Sequence, residues 1–303
     1  MPDGKECVVD MRKRLLCASV IAAGGVFAAS NAMLNFALRR KTALQPPKKS
    51  EEAWLRGAVY VTHRNREDMR LRAWFVPKTG SHRYAVICHG YGGCGQQMQR
   101  LAKPFYDMGF NILLPDARAH GGSDGKMIGM GWPERRDIVE WIYEILKRDA
   151  EAEIVLSGAS MGAATVMMTA GEVLPEQVKL VIEDGGYTSA WAQFKISMPP
   201  ICHVPPYPLL PLASLLSWKR AGYRFRRASA LEQVRRCRIP ILFIHGEADA
   251  LVPYSMALQL YGAATCAKQL LLVPEAGHCE SAEKAPELYW NTIRGFIEKY
   301  MDC

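Results

Sequence analysis

Several things are missing from this sequence, and each absence narrows what it can be. Its nine cysteines, at positions 7, 17, 88, 94, 202, 237, 266, 279 and 303, are odd in number. Their spacing suits neither zinc ligation nor a disulfide framework, so metal-built and disulfide-stapled folds are set aside. So many free thiols on a large domain point to a reducing or anaerobic setting. No internal repeat is visible, which sets aside solenoids and propellers. The net charge of +8 over 303 residues gathers in two clusters without aromatic interleaving. Neither carries the signature of a nucleic-acid reader, so no nucleic-acid partner is expected. Charge itself is absent from Leu15 to Leu38. That run is long enough to cross a hydrocarbon core of roughly 30 Å.

The first basic cluster flanks this uncharged run: Arg12, Lys13 and Arg14 before it, Arg39, Arg40 and Lys41 after it. Residues 1–41 therefore read as an N-terminal hydrophobic helix anchoring the chain in the cell membrane by a single pass. The alternative is a signal segment cleaved near Ala28-Ala29-Ser30, with a secreted product, but the span is long for a signal core. Basic residues on both sides leave the orientation undecided by charge. An outward-facing domain is expected, against which the free thiols pull. Residues 42–56, with Pro46-Pro47 and lysines, read as a linker, and 57–303 as one large domain. The second cluster, running from Lys219 to Arg238, offers a basic surface suited to anionic lipid headgroups.

Alternation over 57–63 and 69–76 predicts an antiparallel strand pair. Apolar runs near 83–88, 110–114, 153–157, 179–183, 239–245 and 269–273 predict further strands. Helical patterns separate most of them, notably 133–148 and 281–300. The class is α/β, with a mostly parallel central sheet flanked by helices.

The most informative motif is Gly158-Ala159-Ser160-Met161-Gly162, between the strand run ending at Ser157 and an apolar helical run over 163–170. That is the strand, tight turn and helix a G-x-S-x-G nucleophile elbow requires. A serine hydroxyl needs a general base, and the base needs an acid to orient it. His278 lies just past the run at 269–273. Asp249 and Glu247 both lie just past the run ending at His245. The other histidines, including His120 in a glycine-rich loop, read as packing or loop-shaping residues. Two backbone donors are needed for an oxyanion. Met161, after the serine, is one. The other is expected in His89-Gly90-Tyr91-Gly92-Gly93, from the Tyr91 N–H.

These pieces together resemble the α/β-hydrolase superfamily. The likeness rests on HGYGG (89–93), LLPDARAHGGSDG (113–125), GASMGAATV (158–166), VIEDGGYTSAW (181–191), ILFIHGEADALVP (241–253) and EAGHCES (275–281). Within it the chain is similar to the serine aminopeptidase/lysophospholipase-like branch and to membrane-anchored bacterial hydrolases of the YqkD type. The resemblance covers 57–301. It implies the α/β-hydrolase fold and a triad of Ser160, Asp249 and His278, with Asp249 preferred over Glu247. It implies no metal and no cofactor.

The stretch 187–236 is too long for a simple crossover and is rich in proline and aromatic residues. It reads as a small cap insertion whose aromatics line the acyl side. Trp191 in it, and Trp132 before the helix at 133–148, are candidate substrate-binding residues. The expected activity is that of a serine hydrolase on small acyl esters or amphipathic lipid-like substrates, through an acyl-enzyme. A serine aminopeptidase, an acyl-thioesterase and a non-catalytic membrane-anchored binding protein are the alternatives. The fold leaves these open, because it hosts many chemistries.

Overall fold

A computed structural model describes residues 4–40 and 53–301. Helix α1 (Gly4–Leu38) comes first. Strands β1 (Val59–Arg64) and β2 (Arg70–Val76) form a hairpin, and β3 (Arg83–Cys88) follows. The chain then alternates: α2 (Gln99–Asp107), β4 (Asn111–Pro115), α3 (Glu134–Leu146), β5 (Glu153–Ala159), α4 (Met161–Ala170) and β6 (Val178–Asp184). Helices α5 (Ala190–Ser197), α6 (Leu209–Ala221) and α7 (Ala230–Val234) fall within 187–236. The chain closes with β7 (Ile241–Gly246), α8 (Ser255–Ala263), β8 (Lys268–Val273), α9 (Ser281–Lys284) and α10 (Pro286–Met301).

All eight strands join one sheet in the order β1-β2-β4-β3-β5-β6-β7-β8. The β1–β2 and β2–β4 pairs are antiparallel and the rest parallel. The central parallel strands are apolar and buried through their middles, as strands covered on both faces must be. On one face Phe105 and Phe110 pack with Tyr289 and Phe296 of α10. On the other, Trp141 of α3 and Met167 of α4 share a core with Leu34 and Leu38 of α1.

The register aligns the carboxyl ends of the central strands. Cys88 pairs with Gly158, Ala159 with Asp184, and Asp184 with Ile244, while Gly246 pairs with Val273. The loops that follow β3, β5, β7 and β8 therefore emerge along one edge, where open parallel sheets place their sites.

Two boundaries differ from the expectation. Most of the expected linker, 42–52, lies outside the described residues. Its last part, Ala53–Leu55, is a helical turn with Trp54 and Leu55 buried, and the Trp54 ring lies 5.5 Å from that of Tyr106. The expected helix over 281–300 is broken at Pro286, which starts α10 because proline fits the first turn of a helix and not its interior. The end of α1 is also more than a free span. Ser30, Met33, Leu34 and Leu38 are buried, with Ala37 half-buried. These positions repeat at i, i+3, i+4, i+7 and i+8, one face of a helix.

Candidate active site

The elbow between β5 and α4 is built by close approach. A Cβ on Gly158 would lie 2.4 Å from the Gly162 carbonyl, and one on Gly162 would lie 2.1 Å from the Cys88 oxygen. Only glycine fits at either place. Ser160 between them has φ +56° and ψ −116°, a left-handed backbone that a non-glycine residue adopts at a cost. Its N–H donates to the Asp184 carbonyl at 2.8 Å, which pins the turn to the neighbouring strand. The side chain is thereby held out beyond the sheet edge.

Two loops bring partners to it. His278, after β8, has Nε2 2.8 Å from Ser160 Oγ and Nδ1 2.7 Å from Asp249 Oδ2. A carboxylate only accepts, so Nδ1 carries the proton and Nε2 accepts the serine O–H. Asp249, after β7, is buried, and the competing Glu247 is exposed. Asp249 Oδ1 also accepts the N–H groups of Leu251 and Val252 at 2.9 and 2.8 Å. Burial opposes its charge. The hydrogen bonds from His245, His278 and Val252 outweigh burial and hold the carboxyl below its ordinary range. His245 is fully buried beneath it, with Nε2 2.7 Å from the Val252 carbonyl and 3.3 Å from Asp249 Oδ2.

The turn after β3 is fixed by two buried histidines. Gly92 N–H donates to His120 Nε2 at 3.1 Å, and Ala117 N–H donates to His89 Nε2 at 3.0 Å. Accepting at Nε2 leaves each ring's Nδ1–H to donate, to Arg118 and Gly90 carbonyls respectively. Both rings are therefore neutral. Burial pushes the His120 pKa down to about 3, with the neighbouring His89 acting in the same direction. Gly90 of this turn packs against the elbow, its missing Cβ 3.5 Å from Ser160 Cβ. Met161 opens α4, so its N–H has no intrahelical acceptor.

Ser160, Met161 and Tyr91 face one cavity of about 370 Å³. That size is in the range of small-molecule sites. Met130, Tyr187, Phe194 and Met198 form its inner wall and Ile201 and Leu251 part of its rim. Tyr187 O–H donates to the Met130 carbonyl at 3.1 Å, so its polar tip is satisfied within an apolar lining. Among the described residues no group of three or more His, Cys, Asp or Glu side chains is arranged to hold a metal ion.

Neither Trp132 nor Trp191 lines this cavity, which corrects the expectation for both. Arginines hold them elsewhere: Arg135 stacks 3.5 Å over Trp132, and Arg226 4.0 Å over Trp191. Trp132 instead borders two adjoining clefts with Arg135, Arg136, Arg224, Arg227 and Arg236. Three cavity residues come from outside the expected catalytic domain: Met33, Phe36 and Ala37 of α1. The apolar i, i+3, i+4 stripe ending α1 was their one signal, and it lies within a run that reads as membrane span throughout.

A serine on a strained strand-to-helix turn, with its partners on the ends of later parallel strands, defines an α/β-hydrolase. The esterase Pf2001 of Pyrococcus furiosus has the same fold, with a TM-score of 0.67 at 19% identity over 85% of this chain and 100% of that one. The acylaminoacyl peptidase of Pyrococcus horikoshii does too, with a TM-score of 0.63 at 17% identity over 80% of this chain and 41% of that one. Residues 80–210 match the family described as serine aminopeptidase, S33. YqkD of Bacillus subtilis, described as uncharacterized, is 30% identical over 219 residues, 72% of each chain. Rv2307c of Mycobacterium tuberculosis, likewise uncharacterized, is 26% identical over 94% of this chain and 96% of its own. The chain belongs to the α/β-hydrolase superfamily, in the family that contains YqkD.

Proposed function

We propose that this hydrolase cleaves carboxylic esters through an acyl-enzyme, with Ser160 as nucleophile, His278 as base and Asp249 as the acid that orients it. The observation that carries the reading is the hydrogen-bonded chain Asp249–His278–Ser160 opening into an apolar cavity. Ser160 Oγ attacks the ester carbonyl while its proton passes to His278 Nε2. The Met161 and Tyr91 N–H groups receive the oxyanion. The tetrahedral species collapses, the C–O bond to the alcohol breaks, and His278 returns the proton to the leaving oxygen. Water, deprotonated by His278, then attacks the acyl-enzyme and releases the acid and Ser160.

Esters are favoured over peptides with a free amine by what faces the cavity. An aminopeptidase needs an anion to hold the substrate ammonium. No carboxylate lines this cavity among the described residues. Glu183 and Asp184 are buried in the sheet edge, accepting from Gly186 N–H and Tyr289 O–H. The apolar lining suits an acyl chain, and each methylene it buries contributes ~0.8 kcal/mol, close to fourfold in kcat/KM. The arginine-lined clefts suit an anionic headgroup or leaflet: among the described residues Arg136, Arg224, Arg227 and Arg236 form no ion pair. Thioesters would be cleaved by the same groups. The apolar α1 is read as the anchor that keeps the enzyme at the membrane.

The test is turnover of p-nitrophenyl esters of graded chain length, alongside thioesters and amino-acid arylamides. Wild type is expected to prefer esters, with rates rising with chain length. It should also be labelled at Ser160 by a fluorophosphonate, and Ser160→Ala should lose both. Undiminished turnover in Ser160→Ala would overturn the assignment.

A further inference from the structure

Helix α1 does two different things along its length. From Ile21 to Ala29 it is apolar, yet every described side chain there is exposed except the half-buried Val26. Ile21 and Phe27 are 75% and 50% exposed. From Ser30 onward the same helix docks on the catalytic domain, and Met33, Phe36 and Ala37 face the cavity that holds Ser160. The docked end is firmly tied. Ile128 N–H donates to the Leu38 carbonyl at 2.6 Å, and Arg40 donates to the Ser123 and Gly121 carbonyls at 2.7 and 2.6 Å. Tyr91 O–H donates to the Ala37 carbonyl at 2.7 Å, joining the helix end to the turn beside Ser160.

The lengths then fix a relation to the bilayer. Leu15 to Ala29, the part of the uncharged run that precedes Ser30, reaches about 22 Å at 1.5 Å per residue. The hydrocarbon core is ~30 Å thick. The shortfall is made up by the next turns, which are the ones that dock and line the cavity. Phe36 lies only about 10 Å along the axis from Ala29. The other rim side chains match this position: Phe36, Ile201, Leu251 and Tyr91 are apolar and 57, 51, 41 and 41% exposed.

We infer that the last turns of α1 form a wall of the acyl site and hold its mouth at the membrane interface. The substrate is then a membrane-resident, single-chain acyl ester that reaches Ser160 from the bilayer side. Met33 and Phe36 set its chain length. This rests on the reading of Ser160 as the nucleophile.

Two measurements on the full chain, reconstituted in phosphatidylcholine/phosphatidylglycerol vesicles, test the inference. The first is the ratio of kcat/KM for p-nitrophenyl palmitate to that for p-nitrophenyl acetate, with fluorophosphonate labelling of Ser160 in parallel. Met33→Trp, which fills the cavity, is expected to lower the ratio at least tenfold. Phe36→Ala, at an exposed position where folding is not at stake, is expected to lower it about fivefold. A ratio within twofold of wild type in Phe36→Ala, with Ser160 still labelled, overturns the inference and leaves the hydrolase reading intact. Failure of the wild type to be labelled overturns the hydrolase reading and this with it. The second is photo-crosslinking from a benzophenone side chain placed at 27, 36, 201 or 151. Positions 27, 36 and 201 are expected to capture vesicle lipid. Glu151, exposed in the turn before β5 at the opposite edge of the sheet, is not. Capture at 27 without capture at 36 and 201 places the mouth in water and overturns the inference.

Discussion

At Asp249 a single carboxylate serves two needs. Its Oδ1 closes its own loop by accepting from Leu251 and Val252, and its Oδ2 accepts from His278. Asp249→Asn separates them. The amide oxygen can keep the loop bonds, which turns the NH₂ group toward His278 Nδ1. That nitrogen must then accept, so the proton moves to Nε2 and faces Ser160 Oγ, where it cannot act as a base. The expected outcome is a fall in kcat on the order of 10³–10⁴-fold with the fold retained, as tautomer loss costs in serine proteases. Circular dichroism with ester turnover checks it, and a loss below tenfold would show that Asp249 does not orient His278. Ser160 and His278 were legible as residues because local chemistry marks them: two glycines that nothing larger can replace, and a histidine just past a strand end. Asp249 and Glu247 were not separable by position alone. Burial separates them, and burial is a property of the folded loop.

At the scale of elements, the elbow depends on how closely α4 approaches β3. Gly162→Ala would place a methyl group 2.1 Å from the Cys88 oxygen and 2.5 Å from its carbon. Both are backbone atoms of a central strand, so neither can turn aside. A cost of about 3 kcal/mol or more is expected. Gly262→Ala is the matched comparison in α8, because nothing lies within 4 Å of its added Cβ. That change is expected to be neutral or stabilising by up to ~1 kcal/mol. Urea unfolding followed by tryptophan fluorescence measures both, and equal midpoints would refute the packing argument. Strands and helices were readable from their apolar periods, because each period reflects which faces are covered. What periodicity does not carry is which neighbour covers a face. Trp132 and Trp191 have the composition of a ligand wall, yet arginines 3.5 and 4.0 Å away take their ring faces. The end of α1 fails to be read for a related reason. An apolar stripe looks the same whether lipid or protein covers it.

The whole molecule buries two acids at the centre of its sheet edge. Glu183 and Asp184 end β6, directly under the elbow, since the Asp184 carbonyl accepts Ser160 N–H. Burial raises both pKa values, to about 8 for Glu183 and about 6 for Asp184. The folded state therefore holds these protons more tightly than the unfolded chain, whose carboxyls titrate near 4. Their contribution to stability is complete below that value. It is lost as pH rises, through about 6 for Asp184 and about 8 for Glu183. Asp249 acts in the opposite sense, its lowered pKa costing stability only under strongly acid conditions. The buried His89 and His120 also act in that sense, because their lowered pKa values cost stability as pH falls below about 6.5. Stability should thus peak near pH ~6 and decline toward alkali. Glu183→Gln keeps an oxygen for Gly186 N–H and removes one of the two titrations. Between pH 6.5 and 8.5 the wild type is expected to lose on the order of 2 kcal/mol more than the variant. The comparison is of slopes, because the amide changes the absolute value at every pH. Urea midpoints for both proteins across that range decide the matter, and parallel pH profiles would mean that Glu183 is ionised in the fold. A steeper wild-type profile would mean that the fold keeps Glu183 protonated, and that alkali forces a charge into the strand end on which the elbow rests.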